Sequence, residues 1–217
     1  MSDAGPEGPT VSRGAEAAIR KVDWWGFAAL LKARDTKLYR PKALDERIRR
    51  ERTRTEARLL VEARRLGVRT PIVYDIDLPR HRLILEELPG PTLRELLEDA
   101  NLPPEALVTA VRAFGRALGT LHAGGISHGD LTSSNVLFPS GAEGPPAFLD
   151  LSMGSRQPGV EELGIDLHLV EEDLHALHPK SEPLVRAFHE GYAEGNRAGE
   201  KDVRARAKAI KARRRYA

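Results

Sequence analysis

The chain has 217 residues, with 34 basic against 32 acidic side chains and no cysteine. The absence of cysteine excludes a disulfide scaffold and thiolate chemistry, and a formal charge of +2 is by itself no argument for nucleic acid. Hydrophobic residues at 41% and charged ones at 30% fit a soluble globular chain of one domain, or two small lobes sharing a cleft.

Residues 1–12 are rich in Gly, Pro, Ser and acids and read as a flexible lead. Two strand patterns follow, 14–22 and 27–33, with Asp23-Trp24-Trp25-Gly26 as the turn between them. Leu44, Ile48, Thr55, Leu59, Ala63 and Leu66 recur at helical spacing and predict a charged helix over 42–66, closed by Gly67. Strands are expected at 72–76 and 82–86, joined near Pro79.

Beyond Pro89-Gly90 the pattern turns helical. Thr92 and Glu95 form a capping box for a short helix to Glu98. Leu107, Val111, Phe114, Leu118 and Leu121 mark an amphipathic helix over 104–122. Short strands at 135–138 and 147–150 flank a Gly/Pro-rich turn, and helices are expected at 161–177, 181–195 and 201–214. The chain divides into a lead (1–12), a small mixed lobe (13–88), a helical lobe (89–200) and a basic tail (201–217). The longest apolar run, 27–31, cannot span a membrane, and the N-terminus does not read as a signal peptide. A cytoplasmic protein without membrane contact is expected.

The segment from Ile126 to Asn135 contains His128-Gly129-Asp130 and an Asp–x4–Asn spacing, with Asp150 at a strand end fifteen residues later. Phosphoryl transfer uses such a set. One carboxylate, Asp130, orients the attacking hydroxyl and accepts its proton, while an amide and a second carboxylate, Asn135 and Asp150, hold magnesium against phosphate oxygens. Upstream, Lys32 ends an apolar strand and Glu56 lies beside the inward stripe of the next helix. Together they can hold the α- and β-phosphates of ATP, with the backbone near Glu86 and Leu88 receiving adenine. His128 reads as a brace of the loop. The acid-free end of the chain, including Arg213, Arg214 and Arg215, raises local affinity for phosphate. Arg47, Arg49, Arg50, Arg52, Arg54 and Arg58 read as a solvated face instead.

These strings resemble the kinase subunits of the KEOPS complex over nearly the whole chain. The carrying segments are Gly14-Ala15-Glu16-Ala17, Arg49-Arg50-Glu51-Arg52-Thr53-Arg54-Thr55-Glu56-Ala57-Arg58-Leu59-Leu60, Gly67-Val68-Arg69-Thr70-Pro71, His128-Gly129-Asp130-Leu131-Thr132-Ser133-Ser134-Asn135, Asp166-Leu167-His168 and Glu190-Gly191-Tyr192. The resemblance implies an α+β, minimal bilobal protein-kinase-like fold that binds ATP and Mg, with Asp166 anchoring the Asp130 loop by hydrogen bonding. It implies serine/threonine kinase and ATPase activity. It also implies partnership with the threonylcarbamoyltransferase subunit, a further small KEOPS subunit and tRNA, with Arg213, Arg214 and Arg215 as a contact for tRNA or nucleotide. Two departures stand out. Leu151-Ser152 replaces the usual Phe-Gly after the metal-binding Asp, and the phosphate-covering turn keeps one glycine, Gly14. A catalytically weak adaptor of the same fold is one alternative. A small-molecule kinase of the aminoglycoside-phosphotransferase type is another, for which the helical lobe is short.

Overall fold

The structure is a computed structural model that describes residues 10–13 and 17–214. Five strands form one antiparallel sheet: β1 (Thr10–Arg13), β2 (Ala17–Trp24), β3 (Phe27–Arg34), β4 (Val73–Asp77) and β5 (Arg82–Glu86), in the order β1-β2-β3-β5-β4. Part of the expected lead is therefore strand, because Thr10–Arg13 pairs with β2; residues 1–9 and the expected phosphate-turn glycine, Gly14, lie outside the described residues.

The β2–β3 turn is tighter than expected. Trp24 pairs with Phe27, leaving Trp25 and Gly26 as a two-residue loop in which both have positive φ. The Asp23 carboxylate accepts the Gly26 N–H at 3.0 Å and closes it. Trp24 packs against Val22, Ala29, Leu31 and Ile84, a small core on the outer face of the sheet, whereas Trp25 is exposed.

On the other face, Lys32 lies opposite Leu83, and Leu30 opposite Leu85. Strand alternation turns these residues toward α1 (Lys42–Arg65). Buried Glu56, Leu59, Leu60 and Ala63 form the inward stripe of α1, while Leu44 and Leu66 at its two ends are exposed. The helix ends in paired backbone bonds, Val68 N–H to Ala63 O and Gly67 N–H to Arg64 O, with Gly67 at φ +82. That arrangement satisfies the last carbonyls and needs the left-handed conformation glycine supplies.

The second half contains α2 (Leu93–Glu98), α3 (Pro104–Ala123), β6 (Ile126–Ser127), β7 (Val136–Leu137), β8 (Ala147–Phe148), β9 (Ser155–Arg156), α4 (Val160–Leu177), α5 (Ser181–Gly195) and α6 (Glu200–Arg214). The Thr92–Glu95 capping box is formed. Helices α3 and α5 approach closely through glycine: a Cβ at Gly115 would sit 2.1 Å from the Phe188 carbonyl, and one at Gly191 2.0 Å from that of Arg112. Phe114, Phe148 and Phe188 join there in the main core. The pair β6–β9 has two residues per strand and no counterpart in the sequence reading. It ties the start of the Asp130 loop to the segment after Asp150. Among the described residues no helix is long and apolar enough to cross a membrane.

Candidate active site

Three separate elements bring the site together. Lys32 of β3 places Nζ 2.6 Å from Glu56 Oε1 of α1 and 2.9 Å from Asp150 Oδ2 after β8. Glu56 is fully buried, and its second oxygen, Oε2, pairs with Arg34 Nη2 at 2.5 Å. Arg34 was not singled out from the sequence. Its signal is the Lys-x-Arg spacing, which on a strand puts both cations on one face. A buried carboxylate is costly unless paired, and here two buried cations share it.

Asp150 adopts a left-handed backbone, φ +51 and ψ 66, and its Oδ1 accepts the Ser152 N–H at 3.4 Å. Burial opposes ionisation of this carboxyl, but Lys32, Ser152 and Arg34 outweigh it and hold the group well below the usual carboxylate range. Asp150 is therefore an anionic oxygen donor at neutral pH. The next residues form a 3₁₀ turn, Leu151–Met153, with Leu151 fully buried in the core. Ser152 is not among the non-glycine residues with positive φ, so this turn does not require the glycine usual there.

The loop carrying Asp130 is held by its own residues and by α4. Asn135 Nδ2 donates to the Asp130 carbonyl at 2.8 Å, which fixes the amide's orientation across the Asp–x4–Asn segment. The Asp130 side chain is exposed. His128 is buried. Its Nε2–H donates to the Leu149 carbonyl at 2.9 Å, joining the loop to the strand that leads into Asp150. Burial lowers the pKa of His128 against the opposing pull of Asp166, so the ring is neutral at physiological pH.

Asp166 on α4 accepts the backbone N–H of His128 at 2.7 Å and of Gly129 at 2.9 Å. Its carboxylate also meets His122 Nε2 at 3.2 Å; His122 Nδ1 lies 2.9 Å from the Tyr192 hydroxyl, to which Asn196 donates at 3.0 Å. Burial works against the Asp166 carboxylate, but the hydrogen bond to His122 and the backbone donors keep its pKa below normal. One further carboxylate on α4, Asp173, accepts the Ser133 N–H at 2.6 Å. Asp166 and Asp173 are seven residues apart, so they share a helix face and brace the loop on both sides of Asp130. Asp173 was not read from the sequence, because nothing local marks a helix acid as the partner of a loop forty residues away.

Gly129 occupies a position where many kinases carry arginine. Its φ is +81, and a Cβ would lie 2.1 Å from the Met153 carbonyl. The loop and the post-Asp150 turn are too close there for any side chain.

Glu86 closes β5, but its carboxylate turns aside to Arg69 at 3.2 Å and to the Ile72 N–H at 3.0 Å. A contribution of Glu86 and Leu88 to nucleotide binding is thus a matter for their backbone. Four of the six described basic residues of α6 meet acids of this same chain: Arg204 pairs with Glu200 at 2.6 Å, Arg206 with Glu161, Arg213 with Glu161 at 3.6 Å and Lys211 with Glu172 at 4.0 Å. The side chain of Arg214 and all of Arg215 lie outside the described residues.

No family model matches the chain. It is 40% identical over 214 residues to a probable bifunctional tRNA threonylcarbamoyladenosine biosynthesis protein of Methanosarcina mazei, covering 98% of this chain and 36% of the relative. A similarly named protein of Halobacterium salinarum is 37% identical over 211 residues, with 97% and 36% covered. The chain therefore spans about a third of the length of these bifunctional relatives. It is also 35% identical over 217 residues to the KEOPS complex subunit Bud32 of Pyrococcus abyssi, with 95% of each chain covered. Among solved structures it resembles the Rio2 kinase of Chaetomium thermophilum in its ADP/Mg²⁺-phosphoaspartate complex. The TM-score is 0.65 at 15% identity, over 99% of this chain and 73% of that one. The α+β kinase-like fold is thus shared.

Proposed function

This chain belongs to the family of the KEOPS complex subunit Bud32, and from that premise we propose that it is an ATP- and magnesium-dependent serine/threonine kinase and ATPase supporting threonylcarbamoyladenosine formation in tRNA. The supporting observation is the convergence of Lys32 on both Glu56 and Asp150, at 2.6 and 2.9 Å. Lys32, oriented by Glu56, holds the α- and β-phosphates. The backbone at Glu86–Leu88 receives adenine. Asp130 orients a serine or threonine hydroxyl, or water, and accepts the proton it loses as its oxygen bonds to the γ-phosphorus and the bond to the leaving ADP oxygen breaks.

Asn135 and Asp150 fit a magnesium site. One donor is an ionised carboxylate, and the other is an amide whose nitrogen is already committed to the Asp130 carbonyl. Two side chains suffice, since magnesium usually completes its shell with water and phosphate oxygens. When bound, the cation neutralises charge on the transferring phosphate. The matching region makes up about a third of the bifunctional relatives, which supports a second protein of threonylcarbamoyladenosine biosynthesis as partner; the partners proposed are the transferase subunit, a further small KEOPS subunit and tRNA, and the proposed location is the cytoplasm.

The test follows labelled ATP with magnesium, scoring free phosphate and protein-bound label, with and without the transferase partner and tRNA. Asp130→Asn should lower turnover by about 100-fold or more. Unchanged turnover sinks the assignment. No turnover by the unaltered chain under any condition, with partner binding intact, replaces it with the adaptor reading.

A further inference from the structure

Five arginines run along one side of α1. Arg47, Arg50, Arg54, Arg58 and Arg65 succeed one another at steps of three, four, four and seven residues. At 3.6 residues per turn these steps keep them within one quarter of the helix circumference, over about 27 Å. The same geometry sets the row opposite buried Glu56 and Ala63. All five are exposed, and none makes an ion pair with any described residue.

The acids of α1 do little to cancel the row. Asp45 is buried and paired with Arg49, and Glu56 is buried between Lys32 and Arg34. Glu62 is engaged by Arg156 at 3.0 Å. Exposed Glu46 and Glu51 border the row without pairing with it. On helix α6 four of the six described cations, Arg204, Arg206, Lys211 and Arg213, meet acids of α4 or of the helix's own first turn, while Lys201 and Lys208 are exposed without an ion pair among the described residues. Exposed cations without a described partner are thus more numerous along α1 than along α6.

Like charges held in a row repel one another, and a polyanion relieves that cost. The guanidinium fork matches phosphate oxygens in pairs. An acidic protein segment is the competing occupant, since Arg54, Arg58 and Arg65 also rim a shallow groove of about 340 Å³ containing partly exposed Val61 and Ile76. That groove covers only the C-terminal part of the row. Arg47 and Arg50 continue beyond it with the same sign, which fits a phosphodiester strand rather than a short apolar anchor.

We propose that the outer face of α1 is a binding surface for the RNA backbone. The proposal rests on the reading of the chain as part of tRNA modification, and it assigns the contact to a helix whose inner face holds the Lys32 partner.

The experiment measures binding of a tRNA transcript to the full chain over a salt series. Replacing Arg47, Arg54 and Arg58 together by Gln should reduce the slope of log affinity against log salt by about two to three. Lys in all three positions should keep the slope, and Arg213→Gln should leave it unchanged. Gln is a good helix former on an exposed face, so circular dichroism should report an intact fold. Ultraviolet crosslinking of the transcript to the unaltered chain, with label recovered in the peptide spanning 42–65, supplies a readout independent of any variant. Unaltered affinity and slope in the folded Gln variant overturn the proposal, as does label confined to other peptides. Retained RNA binding with lost association of the transferase partner overturns it in favour of the acidic protein segment. Asp150→Ala should bind the transcript as the unaltered chain does. Failure of the α1 surface is thereby read separately from failure of the catalytic assignment.

Discussion

Arg34→Met removes one of the two cations that share Glu56. The carboxylate stays fully buried and retains Lys32, itself also drawn toward Asp150. Breaking a buried pair outright costs about 3–5 kcal/mol. With Lys32 still in place, the expected loss is about 2–4 kcal/mol, a large share of the roughly 5–15 kcal/mol that holds a domain together. A urea dependence of about 2–3 kcal/mol per molar turns this into a midpoint lowered by about 0.7–2 M. Circular dichroism follows the whole chain, while fluorescence of Trp24 and Trp25 reports the β2–β3 hairpin, so separate unfolding of the sheet would be visible. The double variant Arg34→Met/Glu56→Gln should recover part of the loss, since neutralising Glu56 removes the charge that Arg34 compensates. A single-variant midpoint within about 0.3 M of the unaltered chain would refute the claim that Arg34 holds Glu56 in place.

Gly129→Ala should lower stability by about 2–4 kcal/mol and the melting temperature by about 5–10 °C, because φ is +81 and the Met153 carbonyl stands 2.1 Å from the added carbon; an unchanged melting curve counts against the close packing described. His128 has a folded pKa below the ordinary imidazole value of 6.5, so the unfolded chain binds a proton the folded ring refuses. Stability should therefore be full above pH 6.5 and fall on acidification, by up to about 1.4 kcal/mol per pH unit from this group. Melting at pH 7.5 and 5.5 should show a smaller drop for His128→Gln than for the unaltered chain, and equal drops would reject His128 as the source. Asp173→Ala should reduce turnover by about tenfold or more by freeing the Ser133 N–H, a charge-assisted bond of about 1.5–3 kcal/mol, while Asp173→Asn, which still accepts, should recover much of it; steady-state kinetics of the two variants distinguishes the outcomes.

The parts of the site legible in the sequence are those whose chemistry is local. The spacing of Asp130 and Asn135 needs one loop, and the structure joins them directly through the Asn135 amide and the Asp130 carbonyl. Lys32 and Glu56 were legible because a strand and the next helix pack against each other with predictable faces. The braces were harder to see. Asp173 reaches Ser133 across forty residues, and His122 meets Tyr192 across seventy; neither partner leaves a pattern near the other. The β6–β9 pair is too short for alternation to register, and β1 hid within a Gly- and Pro-rich stretch. The tail shows the opposite limit: its charges were visible in sequence, but their pairing with Glu161 and Glu172 depends on how α6 packs against α4.

Magnesium-dependent ATP turnover in Asp150→Ala, compared with the unaltered chain in the presence of the transferase partner and tRNA, bears on the whole site at once. Asp150 is held ionised by Lys32 and is one of the two metal donors in the function proposed, so turnover should fall to background while the circular dichroism spectrum stays that of a folded protein. Turnover at the unaltered rate in a folded Asp150→Ala chain would mean that the Lys32–Glu56–Asp150 cluster is not where phosphoryl transfer occurs.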